Sequence, residues 1–235
     1  ADCVVVATPT MLAETIMIQA LELLPSTVAV TDVASVKGNI ADALIGHFDK
    51  IPSNAILGHP IAGSEQSGVS AAKEDLYQDH RVILINDPVS SSNTDAALLA
   101  KVSQLWQAVG AEVFEMSVAE HDHVLALTSH LPHLLAYALV AQLSNHNENV
   151  NVFDFAAGGL RDFTRIASSD PRMWREILLA NKTQLSSSID DFEQWIAQLR
   201  SMLNSNDGDA LEMVFSDVKN SRDKFVAELT TRTQK

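Results

Sequence analysis

Along the first half of the chain, short unbroken apolar runs alternate with longer stretches of mixed apolar and polar residues. Val4-Val5-Val6-Ala7 is such a run, closed by Thr8-Pro9, as in a strand buried on both faces. Residues from about Met11 to Leu24 read as a helix, and Val28-Ala29-Val30 as a second strand ending at Thr31-Asp32. A helix from about Gly38 to Phe48 follows, then a strand at Ala55-Ile56-Leu57. Arg81 to Ile85 is the next strand, ended by Asn86-Asp87-Pro88; Ser90 to Asn93 is a polar loop. Asp95 to Val109 reads as a helix, and Glu112-Val113-Phe114 closes the series. Strands and helices alternating through short connections predict a mostly parallel, doubly wound sheet.

After residue 116 the strands stop. Ser117-Val118-Ala119-Glu120 has the form of a capping box, and the apolar pattern behind it runs as one helix to about Leu143. Asn145 to Asn151 is a polar, asparagine-rich loop. Asp170-Pro171 pairs an N-cap residue with proline at the first helical position. From there Leu178, Leu185, Ile189, Phe192, Ile196, Leu199 and Leu203 form a heptad seam, broken at Asn204 to Asp209, and a last helix runs from about Ala210 to Leu229. The expected organisation is an α/β domain over residues 1–116 followed by an all-helical domain over residues 117–235. The seam serves either packing within the chain or a homodimer of interlocked helices.

Composition narrows the function classes. With 46% hydrophobic and 20% charged residues in 235, the chain can bury a sizeable core. A formal net charge of −14 excludes sequence-independent nucleic-acid binding, and an anionic ligand must be held by a few placed cations. The single cysteine, Cys3, rules out an intrachain disulfide framework and fits a cytoplasmic location. No unbroken apolar run reaches the ~18 residues of a membrane span, so no membrane partner is expected. The chain opens directly in a strand-like run, which reads as a cut inside a domain.

Four segments could carry chemistry. Thr31 to Lys37 lies at the C-terminal end of a predicted strand, the edge at which open α/β sheets bind ligands. Its polar groups are Ser35 and Lys37, which read equally as a helix N-cap and a solvated cation. Gly58-His59-Pro60-Ile61-Ala62-Gly63-Ser64-Glu65 reads as a tight, rigid loop, with His59 as a base near neutral pH or simply a partly exposed polar residue. Glu65 could hold the ring or cap a turn. Ser129-His130-Leu131-Pro132-His133 places a proline inside the long helix, where it removes an amide donor and bends the axis. A metal site built from His121, His123, His130 and His133 is rejected, because His121 lies nearly opposite His123 and no cysteine or acidic pair accompanies them at ligand spacing. Gly158 to Ala167 carries Arg161 and Arg165 ahead of a capped helix, suited to clamping carboxylates or to plain solvation.

In this order the segments resemble the prephenate/arogenate (cyclohexadienyl) dehydrogenase family. The resemblance rests on Thr31-Asp-x-x-Ser-Val-Lys37, on Gly58-His-Pro-Ile-Ala-Gly-Ser-Glu65, and on Ser129-His-Leu-Pro-His133 together with Asp162-Phe-Thr-Arg-Ile-Ala-x-Ser-Asp-Pro-x-Met-Trp174. It covers nearly the whole chain and is weakest in the last 30 residues. It implies a Rossmann-like dinucleotide domain followed by helices, NAD or NADP as cofactor, prephenate or arogenate as substrate, and a homodimer. It further implies His59 as acceptor of the substrate hydroxyl proton, with Ser35 linking base to cofactor. Arg165 would bind a carboxylate, with His133, Ser64, Glu65 and Trp174 lining the substrate pocket. Thr8, Pro9, Ser35 and Lys37 would border the cofactor. Arg161 stands where the family motif varies.

The sequence departs from that pattern at its start. It contains neither the Gly-x-Gly-x-x-Gly loop that cradles a pyrophosphate nor the acidic residue that reads the ribose. The resemblance therefore implies an incomplete sheet from which roughly the first 60 to 70 family residues are absent. Two further readings compete. A β-hydroxyacid dehydrogenase shares the two-part layout but relies on a lysine in the helices, for which Lys182 is the nearest residue. The other is a non-catalytic fragment that only dimerises or binds ligand.

Overall fold

The computed structural model describes residues 1–63, 68–69, 72–86, 94–146 and 151–233. They form two compact units, Ala1–Leu185 and Ser186–Lys235. Among the described residues the first unit contains six strands: β1 (Cys3–Val6), β2 (Ala29–Asp32), β3 (Ala55–Ile56), β4 (Gly58–Ile61), β5 (Arg81–Ile85) and β6 (Glu112–Met116). Between them lie α1 (Thr10–Leu23), α2 (Gly38–Phe48) and α3 (Ala96–Ala108). The helices agree with the sequence pattern to within the usual uncertainty of their ends.

β1, β2 and β3 pair in parallel in that order, with Cys3 opposite Ala29 and Thr31 opposite Ile56. β5 pairs with β6 in parallel but with β4 antiparallel, Gly58 facing Leu84 and Ile61 facing Arg81. β3 and β4 are one extended run that changes partner at Leu57, whose carbonyl accepts from Ile85 N at 2.8 Å. This corrects the reading of Gly58-His59-Pro60-Ile61 as a loop. Gly58 marks a close crossing: a Cβ there would meet Asp32 O at 3.1 Å, Leu84 Cδ2 at 3.2 Å and Thr31 Oγ1 at 3.3 Å.

Alternation along the strands explains why they read as continuous apolar runs. Val30, Leu57, Ile83 and Ile85 pack with Met17 of α1 and Ile40 and Leu44 of α2. Their neighbours Ala29, Ile56, Val82 and Leu84 pack with Leu98, Val102 and Trp106 of α3. Both faces are buried, as a doubly wound layer requires.

The helices that follow are α4 (Val118–Leu125), a π-helical turn (Ala126–His130) and α5 (Leu131–Asn145). Ser117 Oγ accepts from Glu120 N at 3.2 Å while Glu120 returns to Ser117 N at 2.9 Å, forming the expected capping box. The single helix expected through Leu143 is thus interrupted by the π turn, placed immediately before Pro132. Pro132 needs no amide at the start of α5, so the proline is tolerated by a change of helix type. Taken together, Val118–Asn145 is long and apolar enough to cross a membrane by length and composition. The segment contains no unbroken apolar run of that length, since polar residues interrupt it, and the expectation of no membrane partner is neither met nor overturned by it.

Beyond these lie α6 (Gly158–Thr164), a 3-10 turn at Arg165–Ser168, α7 (Pro171–Ala180), α8 (Lys182–Asn204) and α9 (Gly208–Thr233). Asp170 caps α7, its Oδ1 accepting from Arg172 N and Met173 N at 2.8 Å each. The heptad seam does not run on one helix: Asn181 separates α7 from α8. In the second unit Trp195, Leu203, Phe215 and Phe225 are exposed.

Candidate active site

β4 carries His59 into the interior at the end of the sheet, and α4 brings His121 and Asp122 behind it. His59 Nδ1 lies 2.9 Å from His121 Nε2, and His121 Nδ1 lies 2.7 Å from Asp122 Oδ1. Asp122 also accepts from two backbone amides at the start of α2, Lys37 N at 2.9 Å and Gly38 N at 2.8 Å. Burial raises the Asp122 carboxyl, but the bonds from His121, Lys37 N and Gly38 N outweigh it and hold the group below its ordinary range. His59 is lowered well below the ordinary imidazole value, first by burial, then by His121, Lys37 and His130. His121 is lowered as well, mainly by burial, with Asp122 opposing.

Under this row sits a buried ion pair. Lys37 and Asp32 side chains are both fully buried and joined Nζ to Oδ2. Lys37 Nζ also donates to Gly58 O at 2.7 Å, and Asp32 Oδ1 accepts from Gly58 N at 3.1 Å. The pair therefore clamps both sides of the residue that precedes His59. The Lys37 ammonium is turned inward, because Asp32 and the Gly58 carbonyl supply the partners that a buried cation needs.

His59 opens onto a cavity of about 570 Å³ that Ser35, His130, His133, Trp174 and Ile177 also line. His133 stacks on Trp174 with ring centroids 3.5 Å apart and planes at 19°. Its Nδ1 donates to Ser129 O at 2.9 Å, leaving Nε2 as its acceptor. His130 Nδ1 accepts from Asn181 Nδ2 at 3.1 Å, and the same amide group donates to Asp122 O at 2.8 Å. Burial lowers His130 to about 4. Trp174 Nε1 is buried with no partner among the described residues. A neutral base, further imidazoles, a hydroxyl and an aromatic wall suit a small ring-bearing substrate that gives up a proton.

Two family models match the chain: prephenate dehydrogenase, nucleotide-binding domain, over residues 1–115, and prephenate dehydrogenase, dimerization domain, over residues 117–217. The crystal structure of prephenate dehydrogenase from A. aeolicus in complex with hydroxyphenyl propionate and NAD+ is 35% identical, with a TM-score of 0.87 over 95% of this chain and 76% of that one. This chain belongs to the prephenate dehydrogenase family. Its relatives include cyclohexadienyl dehydrogenase of Zymomonas mobilis, 37% identical over 83% of this chain and 65% of that protein. Prephenate dehydrogenase of Bacillus subtilis is 40% identical over 83% of this chain and 51% of that one. The chain thus spans between half and two thirds of the length of the Zymomonas mobilis and Bacillus subtilis relatives.

Of the residues singled out from the sequence, the structure gathers Ser35, His59, His133 and Trp174 around one cavity. Arg165 is exposed at the start of the 3-10 turn and does not itself line it, although Ile166 and Ser169 just beyond do. Thr8 and Pro9 lie at the C-terminal end of β1, outside this cavity, and Thr8 Oγ1 is buried without a hydrogen-bond partner among the described residues. Ser64 and Glu65 fall outside the described residues. Sequence reasoning passed over Asp122 and Asn181, and weighed His121 only in the rejected metal set and His130 only there and in the proline-bearing segment. A usable signal was the adjacent His121-Asp122 pair on the first turns of a capped helix. Lys182, weighed as a catalytic lysine, lines a different cavity of about 460 Å³ beside Asp122.

Proposed function

We propose that this chain carries the proton-abstracting and substrate-binding machinery of an oxidoreductase that oxidatively decarboxylates prephenate, arogenate or both, with NAD or NADP as hydride acceptor. The observation that carries the reading is His59, a buried neutral imidazole lining a cavity of substrate size. His59 accepts the proton of the substrate's ring hydroxyl, and the electron pair left on oxygen favours loss of hydride from the same carbon. Release of the ring carboxylate as carbon dioxide leaves an aromatic ring, which drives the reaction. Ser35 lies at the mouth of the sheet edge beside the base and orients the hydroxyl. The stacked pair His133 and Trp174 forms the wall against which a six-membered ring packs. Arg165 stands on the segment that borders the cavity through Ile166 and Ser169, and is the cation for a substrate carboxylate. Ser64 and Glu65 complete the pocket by their place in the motif.

The residues present fit the nicotinamide end of a dinucleotide. The unsatisfied Thr8 Oγ1 at the C-terminal end of β1, followed by Pro9, and Ser35 beyond β2 lie at the edge where open α/β sheets bind such ligands. Bound there, NAD supplies the hydride acceptor. We assign residues 1–116 to that domain and residues 117–235 to a helical substrate and dimerisation domain of a cytoplasmic homodimer.

The test measures reduced nicotinamide formed from prephenate or arogenate. Because the sequence carries no Gly-x-Gly-x-x-Gly loop, it is run on the chain alone and on the chain joined to the strand–loop–helix start of the Zymomonas mobilis relative. Turnover that His59→Asn lowers by ~10²–10⁴, with substrate affinity little changed, is the expected result. Arg165→Ala should chiefly weaken substrate binding. Silence of the joined protein with both substrates and both cofactors would overturn the reading.

A further inference from the structure

We infer that His121 and Asp122 are a positioning pair that fixes the tautomer of His59, placing its lone pair on Nε2. The inference rests on the reading of His59 as the base but is tested apart from it. Its logic runs outward from the one group whose hydrogen-bonding sense is fixed. Backbone amides can only donate, and two of them, Lys37 N and Gly38 N, converge on the Asp122 carboxyl at the N-terminus of α2. Asp122 is therefore an ionised acceptor, and His121 Nδ1, 2.7 Å from its Oδ1, must be the donor. A neutral imidazole has one proton, so His121 Nε2 is left as an acceptor. His59 Nδ1 lies 2.9 Å from it and must in turn donate. His59 then keeps its lone pair on Nε2, the ring nitrogen His121 does not engage, and this is the form a proton acceptor needs.

Both imidazoles must be neutral for this to hold, and burial lowers both. The opposite order would set a lone pair of His121 against the carboxylate. Asp122 is itself anchored from two sides, by α2 through its carboxylate and by Asn181, whose amide group donates to its carbonyl. Asn181 is the residue that separates α7 from α8, so three helices fix the orientation of the pair. A carboxylate holding an imidazole in its working tautomer is the arrangement known from hydrolase triads, where disturbing it costs about 10⁴ in turnover. Here a second imidazole carries the constraint one ring further.

The experiment is nitrogen NMR on the chain with ¹⁵N-labelled histidine at neutral pH, where protonated and bare ring nitrogens have distinct shifts. His59 should show a protonated Nδ1 and a bare Nε2. His121→Leu should remove that preference, and in the joined protein lower turnover by ~10²–10⁴ with KM little changed. His121→Gln offers an amide oxygen to His59 Nδ1 and should restore both the nitrogen pattern and much of the turnover. A merely structural His121 would alter stability without moving the His59 signals. A wild-type His59 protonated on Nε2, or an unchanged pattern in His121→Leu, would overturn the inference. The nitrogen signals decide the tautomer whether or not His59 is the base, and turnover of His59→Asn decides the base.

Discussion

Lowering the pH from about 7 to 5 spans the range in which free histidines gain a proton and carboxylates do not. In the first unit His59, His121, His130 and His133 are all lowered from the ordinary value, in each case first by burial. The unfolded chain therefore takes up protons that the folded unit refuses, and stability is lost as pH falls. His130 sets the scale. Its folded value is about 4 against an ordinary 6.5, which at about 1.4 kcal/mol per pH unit corresponds to about 3 kcal/mol. That stability is fully present above about pH 6.5, falls by about 2 kcal/mol by pH 5, and is gone near pH 4. The assay is urea unfolding at a series of pH values, followed by the fluorescence of Trp106 and Trp174 in a Trp195→Phe background. His130→Asn puts an amide oxygen where Nδ1 accepts from Asn181, and removes the titrating group. The variant should lose about 2 kcal/mol less than wild type between pH 7 and 5. Equal slopes in the two proteins, or a flat wild-type profile over that interval, would refute the reasoning.

Lys37→Met should destabilise the first unit by about 3–5 kcal/mol in urea unfolding, since Asp32 would be left charged and buried. The double variant with Asp32→Leu should recover much of that loss, and a mild single variant would mean that Asp32 is not relying on Lys37. Gly58→Ala should cost about 1–3 kcal/mol in thermal or urea unfolding, because Asp32 O, Leu84 and Thr31 surround the place its Cβ would take. Retained stability there would show that the crossing of β2 and β4 is looser than described.

What could be read from the sequence was what is decided locally. The capping box at Ser117 and the Asp170-Pro171 start of α7 depend on residues within one turn, and both are as expected. The strand runs were legible because burial on two faces leaves no polar alternation to confuse them. His59, Ser35, His133 and Trp174 were found through motif likeness, and chain topology then brought them to one cavity. Illegible were features made by elements far apart in the chain. Lys37 and Asp32 look like surface polar residues until β4 lays Gly58 across them. His121 and Asp122 gain their meaning only where α4 meets both β4 and the start of α2. Glycines flanking a histidine suggested a turn at residues 58–63, whereas Gly58 serves close strand contact.

The π turn at Ala126–His130 makes the winding of this segment matter more than its spelling. His121 and His130 are nine positions apart, which on an unbroken helix would set them about 180° from each other. One surplus residue in a turn swings everything after it by about 100°, so the two imidazoles come to lie only about 80° apart. One then meets His59 while the other lines the same cavity. Substitutions at Leu127 or Thr128, whose side chains are exposed, leave that angle alone. Deleting one of Leu127, Thr128 or Ser129 would leave the two histidines eight positions apart, which an unbroken α-helix sets at the same angle of about 80°. The site is thus written partly in winding, and the change it is least able to absorb is relaxation of these residues into plain α-helix with the surplus residue still present.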